Sequence, residues 1–142
     1  MKQVFLDTNI LLEIVLQRKE KDACNQIFQA GRDGEIGLFA SYLTFANMAY
    51  ILKKSQIASK QIYHIERMMD SIMTVLPMNH DQLHAALQHE VKDFEDMLQY
   101  QCAVSGHCDC IVTINTNDFK EFSTLPVYSP EELLDLLDEK EL

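Results

Sequence analysis

The chain of 142 residues is poor in glycine and proline, of which it has only four and three. It therefore has little room for flexible linkers or low-complexity tracts, and its length is typical of one domain. No apolar run approaches the roughly 18 residues that a membrane span needs, and the N-terminus lacks the pattern of a signal peptide. We expect a single domain over residues 1–142, located in the cytoplasm and without a membrane segment.

Basic residues are also scarce, with 12 Lys and Arg against 22 Asp and Glu and a net charge of −10. This balance argues against a protein that holds nucleic acid on a basic surface. It suits instead a cluster of carboxylates around a divalent cation, which would supply local positive charge. Part of the acidic excess lies in "PEELLDLLDEKEL", which predicts an amphipathic C-terminal helix at about 130–140 with its leucines facing inward.

The sequence has no C-x-x-C pair, although it contains four cysteines, at positions 24, 102, 108 and 110. This spacing favours buried, reduced thiols over a disulfide or a zinc site. The motifs G-x-x-x-x-G-K-[ST], G-x-G-x-x-G and G-x-S-x-G are absent as well. Their absence excludes the commonest nucleotide-binding and serine-hydrolase sites.

Strand-like and helical segments alternate along the chain. The strand-like runs lie at about 3–7, 37–41, 74–78, 109–113 and 125–128. The helical patterns lie at about 10–17, 22–33, 42–54, 57–72, 81–91, 94–105 and 130–139. Such alternation implies parallel crossover connections and a sheet that is covered on both faces. We predict an α/β fold, a three-layer α/β/α sandwich around a central, mostly parallel sheet of about five strands.

The first predicted strand ends on an acidic residue, in the segment "VFLDTN". Val4, Phe5 and Leu6 form an apolar run without polar alternation, as in a strand that is buried on both faces. Asp7 follows directly, at the end of the strand where open α/β sheets bind their ligands. Aspartate is also a good N-cap for the next helix, so the sequence leaves a ligand role and a capping role open.

The segment "CIVTINTNDFK" repeats this arrangement at the fourth predicted strand. Ile111 and Val112 are followed by Thr113, Asn115 and Asp118. In an extended chain, Thr113 and Asn115 would point to the same side of the sheet. A simple turn is the alternative, because Asn, Thr and Asp are common turn residues.

The segment "KDFEDMLQYQ" places acidic residues at the start of a predicted helix. Asp93 precedes the apolar positions and is typical of an N-cap, and Asp96 could form a capping-box arrangement with it. From the first turn of the helix, however, the Asp96 carboxylate can also project beyond the helix end into a cleft. Glu95 and Gln99 are four residues apart and are predicted to face the solvent.

Asn47 interrupts the otherwise apolar helix that is predicted from "SYLTFANMAYIL". Asparagine is a mediocre helix former and is costly to bury without hydrogen-bond partners. Either a structural hydrogen bond or a position in the same cleft would explain its presence.

The segments "FLDTN", "SYLTFANMAYIL", "DFEDMLQYQCA" and "DCIVTINTNDF" together resemble the PIN-domain family of nucleases, in this order and at this spacing. The family includes the toxins of VapBC-type toxin–antitoxin pairs, and the resemblance covers nearly the whole chain. It implies a parallel sheet with acidic residues around a divalent metal. Such a site is used to cut single-stranded or structured RNA.

The resemblance also assigns roles to individual residues. Asp7 matches the first acid after strand one, and Asp96 matches the acid that starts the late helix. Thr113 and Asn115 match the polar stretch after the fourth strand, with Asp118 just beyond. Thr8 and Asn9 match the small polar residues that follow the first acid.

The implied chemistry explains these residue types. A bound Mg²⁺ or Mn²⁺ can activate water and shield a phosphate, and two ions about 4 Å apart can clamp the attacking and leaving oxygens. Asp7, Asp96 and Asp118 would supply carboxylates as metal ligands, and Asn115 would supply a carbonyl oxygen. A phosphoryl-transfer enzyme of the haloacid-dehalogenase type also has an Asp after strand one, but it usually needs a second Asp where this chain has Asn9.

The chain departs from the family pattern at two positions. Asn47 stands where family members typically have a Glu, and Asn115 stands where many have an Asp. Each change removes a negative charge, which predicts weaker metal binding. It also leaves open whether the site binds one metal ion or two. One ion could suffice, Glu13, Asp93 or Glu95 could compensate, or the domain could be a catalytically weakened binding module.

The expected partners follow from the resemblance alone. They are an RNA substrate, a second copy of the chain in a homodimer, and an antitoxin protein. The sequence does not identify the RNA target or the cleavage site.

Overall fold

In the computed structural model, which describes residues 2–141, five parallel strands form the centre of the fold. In chain order they are β1 (Lys2–Leu6), β2 (Ile36–Ser41), β3 (Thr74–Leu76), β4 (Cys110–Val112) and β5 (Val127–Tyr128). They lie side by side in the order β3-β2-β1-β4-β5, and every neighbouring pair is parallel. The predicted α/β fold is confirmed, and the sheet is parallel throughout.

Eight helices in the described part of the chain connect and cover these strands. They are α1 (Thr8–Val15), α2 (Lys21–Arg32), α3 (Tyr42–Lys54), α4 (Ser59–Ile72), α5 (His80–Leu87), α6 (Phe94–Ser105), α7 (Thr116–Lys120) and α8 (Pro130–Asp138). None of these helices has the length and apolar character that crossing a bilayer requires. The acidic helix α8 starts with a capping box between Ser129 and Glu132, and its Leu133 is fully buried.

Alternating side chains of the strands divide the core into two clusters, one on each face of the sheet. Val4 and Leu6 of β1 pack in one cluster with residues of α1, α2, α3, α4 and α8. Phe5, which lies between them, packs in the other with residues of α5, α6 and α7. Both faces of β1 are therefore covered, which explains its apolar run without polar alternation and gives the three layers of the predicted sandwich.

Some element boundaries differ from the predicted ones. Helix α7 occupies a stretch where the sequence left a turn open, because five residues are too few to show a helical period; its Phe119 is buried. Helix α5 ends at Leu87 rather than near 91, since Ala86 is its last buried residue. Strand β5 is shorter than predicted, and Pro126 before it has no N–H to donate to a strand ladder.

All four cysteines are buried and free, as their spacing favoured. Cys108 and Cys110 lie in different core clusters, because β4 begins only at Cys110. Burial raises the pKa of Cys102 to about 11, and it raises the pKa values of Cys24, Cys108 and Cys110 to about 12. These thiols are protonated at neutral pH and behave as apolar side chains.

The strand order creates a switch point at the carboxyl end of the sheet. The chain places β2 and β3 on one side of β1 and then returns to place β4 on its other side. The Asp7 N–H donates to the Val112 carbonyl at 3.0 Å, and the Thr113 N–H donates to the Tyr128 carbonyl at 3.0 Å. Asp7 and Thr113 thus continue the ladder just beyond the strands, where ligands of open α/β sheets bind.

Candidate active site

Asp7 is the most buried acid at the carboxyl end of the sheet, with 5% of its surface exposed. It is the N-cap of α1, and its Oδ1 accepts a hydrogen bond from the Thr8 N–H at 2.9 Å. Its Oδ2 accepts a hydrogen bond from the Thr113 hydroxyl at 2.9 Å. The two hydrogen bonds fix the orientation of the carboxylate, and they leave it further lone pairs for a ligand. Capping and ligand binding are therefore compatible at this position.

The pKa of Asp7 reflects a balance of opposing influences. Burial raises the pKa above its ordinary value, while the hydrogen bonds from Thr113 and Thr8 lower it. The negative charges of Asp93 and Asp118 raise it further. Burial has the largest effect on the pKa, so the protein keeps the Asp7 carboxyl group where its ionised form is poorly solvated.

Asp96 lies on the first turn of α6 and points into the same region. The cap hydrogen bond of this helix joins the Asp93 carboxylate to the Glu95 N–H at 2.9 Å, so Asp96 is not the partner of that cap. Burial raises the pKa of Asp96 to about 7, and the charges of Asp7, Asp93, Asp118 and Glu95 add to this effect. Four other carboxylates therefore act on Asp96 at short range.

One cavity of about 430 Å³ brings these acids together, and we call it the acidic cleft. Its lining consists of Asp7, Thr8, Asn9, Asn47, Tyr50, Ile51, Asp93, Glu95, Asp96, Asn115, Asp118 and Phe119. Among these described residues there are five carboxylates and no Lys, Arg or His. The cleft therefore concentrates negative charge without a cationic side chain in its wall.

The segment after β4 contributes one buried and two cleft-lining side chains. Thr113 is fully buried, and its hydroxyl oxygen accepts a hydrogen bond from the Asn115 N–H at 3.2 Å while donating to Asp7. Asn115 immediately precedes α7, and Asp118 lies on that helix. Both side chains line the acidic cleft. The sequence left open whether these residues form a site beyond the strand or a simple turn. In the structure Thr113 contacts Asp7, and Asn115 and Asp118 line the cleft at the start of α7.

Glu13 occupies a different place from the other predicted acids. Its Oε1 accepts a hydrogen bond from the Glu20 N–H at 2.9 Å, and its Oε2 lies 4.0 Å from Nε of Arg18. These contacts hold the loop between α1 and α2, and Glu13 is not among the residues that line the acidic cleft. The fold does not bring it together with Asp7 and Asp96.

Comparison with known proteins identifies the family of the chain. The family model for the PIN domain matches residues 3–117. The chain belongs to the PIN-domain family. No curated protein sequence matches the chain.

Three solved structures share the PIN fold with this chain. VapBC2 from Rickettsia felis, bound to a promoter DNA fragment, is 15% identical with a TM-score of 0.67, covering 89% of this chain and 98% of that one. A toxin–antitoxin complex from Klebsiella pneumoniae is 22% identical with a TM-score of 0.64, covering 89% and 97%. VapBC-1 from nontypeable Haemophilus influenzae is 19% identical with a TM-score of 0.65, covering 91% and 98%. At these identities the likeness concerns the fold.

Asn47 of this PIN domain uses its side chain to hold an acid from another helix. Its Nδ2 donates a hydrogen bond to Oε1 of Glu95 at 2.7 Å, and this contact joins α3 to α6. Both side chains line the acidic cleft. Glu95 is exposed, as the sequence predicted, but its carboxylate is directed by Asn47. Where α3 lacks its own acid, the hydrogen bond therefore fixes one that belongs to α6.

A buried hydrogen-bond network below the cleft was not predicted. Gln99 was expected to face the solvent, and this was wrong, because its side chain is fully buried. Its Oε1 accepts a hydrogen bond from the Ser41 hydroxyl at 2.6 Å. Its Nε2 donates to Thr44 Oγ1 at 2.9 Å and to Thr8 Oγ1 at 3.2 Å. The spacing from Asp96 to Gln99 to Ala103, one helical turn at each step, was the signal that could have revealed it.

This network ties together the elements that carry the acids. It links α1, the N-terminus of α3 and α6 through side chains that are all buried. Buried polar groups that are fully hydrogen-bonded make a region rigid and specific in geometry. Gln99 and its partners therefore fix the helices from which Asp7 and Asp96 reach the cleft.

The donor set of the PIN-domain cleft fits a hard divalent cation. Carboxylate and amide oxygens are the ligands that Mg²⁺ and Mn²⁺ favour. Within residues 2–141, no three His, Cys, Asp or Glu side chains are arranged as a ready-made metal-binding group. Mg²⁺ commonly binds through one or two carboxylates and keeps several waters, so a site of this kind needs few protein ligands.

Proposed function

We propose that this PIN domain is a metal-dependent endoribonuclease, which hydrolyses RNA phosphodiester bonds in the acidic cleft. The observation that carries the proposal is the surroundings of Asp7. This acid is buried, oriented by Thr8 and Thr113, and shares a cavity with four other carboxylates and no cationic side chain among the described residues. Such an arrangement is costly unless a cation offsets it.

The proposed metal is Mg²⁺ or Mn²⁺, held by Asp7, Asp96 and Asp118 with Asn115 as a carbonyl donor. When bound, a divalent cation activates water at neutral pH and offsets the charge that develops on the phosphate. The protein's own part is orientation and charge. The Thr113 hydroxyl fixes the Asp7 carboxylate, and Asn9 and Thr8 complete the polar wall.

We further propose that Glu95 compensates for the missing acid of α3, with Asn47 as its positioning residue. The short hydrogen bond between the two side chains supports this assignment. We choose Glu95 over Asp93 because a side chain of α3, that of Asn47, contacts Glu95, whereas the Asp93 carboxylate contacts the backbone of α6. Glu13 is left out of the proposed site, since its carboxylate contacts the loop after α1.

The proposed biological setting is that of a toxin in a VapBC-type toxin–antitoxin pair, acting as a homodimer in the cytoplasm. The similar structures from Klebsiella pneumoniae and Haemophilus influenzae, which are described as a toxin–antitoxin complex and as VapBC-1, support this proposal. Co-expression with the neighbouring gene, followed by purification, tests for an antitoxin that forms a complex with the chain.

The experiment that tests the function is an RNA cleavage assay with the purified chain. Cleavage should require Mg²⁺ or Mn²⁺, stop in EDTA and return when excess metal is added. Internal cuts in a circular RNA would establish endonuclease action, because a circle has no ends. Failure to cut any RNA at millimolar metal would overturn the catalytic part of the proposal.

A catalytically weakened PIN domain that only binds is the second candidate. It is favoured by one observation, namely that Asn47 and Asn115, which stand where the family pattern has acids, both line the acidic cleft. In this case the wild-type chain would bind RNA without cutting it, and calorimetry would detect no heat of binding with Mg²⁺ or Mn²⁺. Activity that appears only in an Asn47→Glu variant would support this alternative.

A further inference from the structure

The acidic cleft adjoins a second cavity, and we call the two cavities together the groove. The second cavity, of about 170 Å³, shares Asp93, Asp96 and Asp118 with the cleft and continues to Lys92 and Phe122. At its other end the cleft is bounded by α3.

The α3 end of this groove carries an exposed aromatic ring. Tyr50 is 63% exposed, and among the exposed large apolar side chains of the described residues it is the one that lines the acidic cleft. The other aromatic side chain of the lining, Phe119, is buried in the core. Burial in the core therefore accounts for Phe119 but not for Tyr50.

A cation accompanies this ring. Lys54 lies one helical turn after Tyr50 on α3, and its Nζ is 5.4 Å from the centre of the Tyr50 ring. Asn47, Tyr50 and Lys54 follow one another at the spacing of a single helix face. Along this face, the side chains therefore change from the amide of Asn47, which holds Glu95, to the ring of Tyr50 and then to the cation of Lys54.

We propose that Tyr50 is a base-stacking platform for an unpaired RNA nucleotide, with Lys54 as the adjacent contact for a backbone phosphate. The proposal rests on the proposed function and adds a binding subsite to it. Aromatic rings bind bases of single strands by stacking, because every base has a π-face, and lysines neutralise phosphates along the strand. A base within a duplex cannot stack on Tyr50, so the subsite selects unpaired RNA.

Charge supports RNA as the occupant. The walls of the cleft are anionic, and a polyanion would be repelled wherever no cation offsets them. Lys92 lines the second cavity, and Lys54 lies next to the Tyr50 ring of the acidic cleft. A strand of RNA in the groove would therefore meet two cations besides the acids.

The test is a set of binding curves with a short, fluorescein-labelled single-stranded RNA, measured by anisotropy in millimolar Mg²⁺. The Asp7→Asn background is used to prevent cleavage during the titration. Tyr50→Ala should weaken binding roughly 5- to 150-fold, the loss that corresponds to one stacked base. Tyr50→Phe should retain the affinity, because it keeps the ring. Tyr63→Ala is the matched control, since Tyr63 is equally exposed, at 66%, on α4 and away from the cleft.

Abasic substitution at successive positions of the RNA identifies the contact. In the protein that keeps Tyr50, one abasic position should weaken binding as much as the Tyr50→Ala substitution does with the intact RNA. In the Tyr50→Ala protein, the same abasic position should cause no further loss of affinity. Lys54→Ala should reduce the slope of log affinity against log salt by about 0.7, as expected for one phosphate contact.

The outcomes separate this subsite from the proposed catalysis. Binding that depends on Tyr50 supports the subsite, even if the wild-type chain cuts no RNA. Equal affinities for Tyr50→Ala and Tyr63→Ala overturn it, even if the wild-type chain is an active nuclease. A Tyr50→Ala variant that changes the sedimentation of the protein while keeping its RNA affinity would also overturn it, because Tyr50 would then belong to a surface between protein chains.

Discussion

The two ends of the same parallel sheet each hold an aspartate that accepts a hydrogen bond from a backbone N–H. At the amino end, Asp109 is exposed, and its Oδ2 accepts from the Gln3 N–H at 2.8 Å. At the carboxyl end, Asp7 is buried, and its carboxylate accepts from Thr8 and from Thr113. The same residue type thus stands in water at one end and in the protein interior at the other.

Their electrostatic surroundings differ even more. Asp7 shares a cavity with four other carboxylates. One of them is Asp96, whose pKa is raised to about 7 by burial and by the charges of Asp7 and the other three acids. Asp109 shows that an exposed acid is sufficient to hold two chain segments together through a hydrogen bond. A buried acid among like charges lowers the stability of the folded chain, and such perturbed acids concentrate at functional sites. The comparison supports the proposed cation site at the carboxyl end.

The largest expected effect separates the two aspartates directly. Asp7→Asn should reduce RNA cleavage by about a thousandfold or more, because loss of one ligand charge removes several kcal/mol of transition-state stabilisation. Asp109→Asn, the matched change at the amino end, should leave the rate unchanged. Rates are measured with a labelled RNA in Mn²⁺, and equal losses in both variants would break the distinction between the two ends.

A second test concerns the orientation of Asp7. Thr113→Val removes the hydroxyl that donates to Asp7 but keeps the shape of the side chain, and it should lower cleavage about 10- to 100-fold. Thr124→Val is the control, because the Thr124 hydroxyl pairs with Tyr100 outside the cleft at 2.9 Å. Thr113→Val should lose about 1 to 3 kcal/mol of unfolding free energy, and Thr124→Val, at an exposed residue, about 1 kcal/mol. If cleavage falls equally in both, orientation of Asp7 has no special role.

A third test concerns the hydrogen bond between Asn47 and Glu95. Asn47→Leu frees the Glu95 carboxylate and should weaken Mn²⁺ binding about tenfold, as loss of a supporting contact does at metal sites. Gln29→Leu removes a similar amide–carboxylate contact, with Asp33 at the end of α2, and should leave Mn²⁺ binding unchanged. Calorimetry gives both affinities, and an unchanged value for Asn47→Leu would remove Glu95 from the proposed site.

The last test concerns the pH dependence of stability. The unfolded chain loses the Asp96 proton near pH 3.8, whereas the folded chain keeps it up to about pH 7. Between these values the folded state binds more protons, so the Asp96 contribution to the unfolding free energy falls as the pH rises. Thermal unfolding in EDTA should show a shallower decline from about pH 4 to 7 for Asp96→Asn than for the wild type. Parallel curves would contradict the raised pKa.

The contrast between the two ends was partly predictable from the sequence. The apolar run before Asp7 and the alternation of strands and helices indicate a parallel sheet, and such a sheet gathers its functional residues at the carboxyl end. Asp7 and Asp118 could be nominated on this basis, whereas Asp96 was nominated from its place on the first turn of a predicted helix, and all three from the resemblance to the PIN-domain family. Local patterns are sufficient here, because the fold brings the ends of all parallel strands to the same side.

Contacts between distant segments could not be predicted in this way. Nothing local indicates that Asn47 meets Glu95, because the pairing depends on how α3 and α6 pack across the sheet. For the same reason, Glu13 was a plausible acid in the sequence but faces the loop after α1 in the fold. Gln99 was misjudged because a polar residue on a helix usually faces water, whereas here buried hydroxyl groups satisfy it.

The most direct test of the central claim is anomalous diffraction from a crystal soaked in Mn²⁺, recorded at the manganese absorption edge. We predict a peak in the acidic cleft within coordinating distance of Asp7 and at least one of Asp96 and Asp118, and its loss in Asp7→Asn. A well-ordered cleft that shows no peak at millimolar Mn²⁺, or a peak only at acids elsewhere on the surface, would contradict the account.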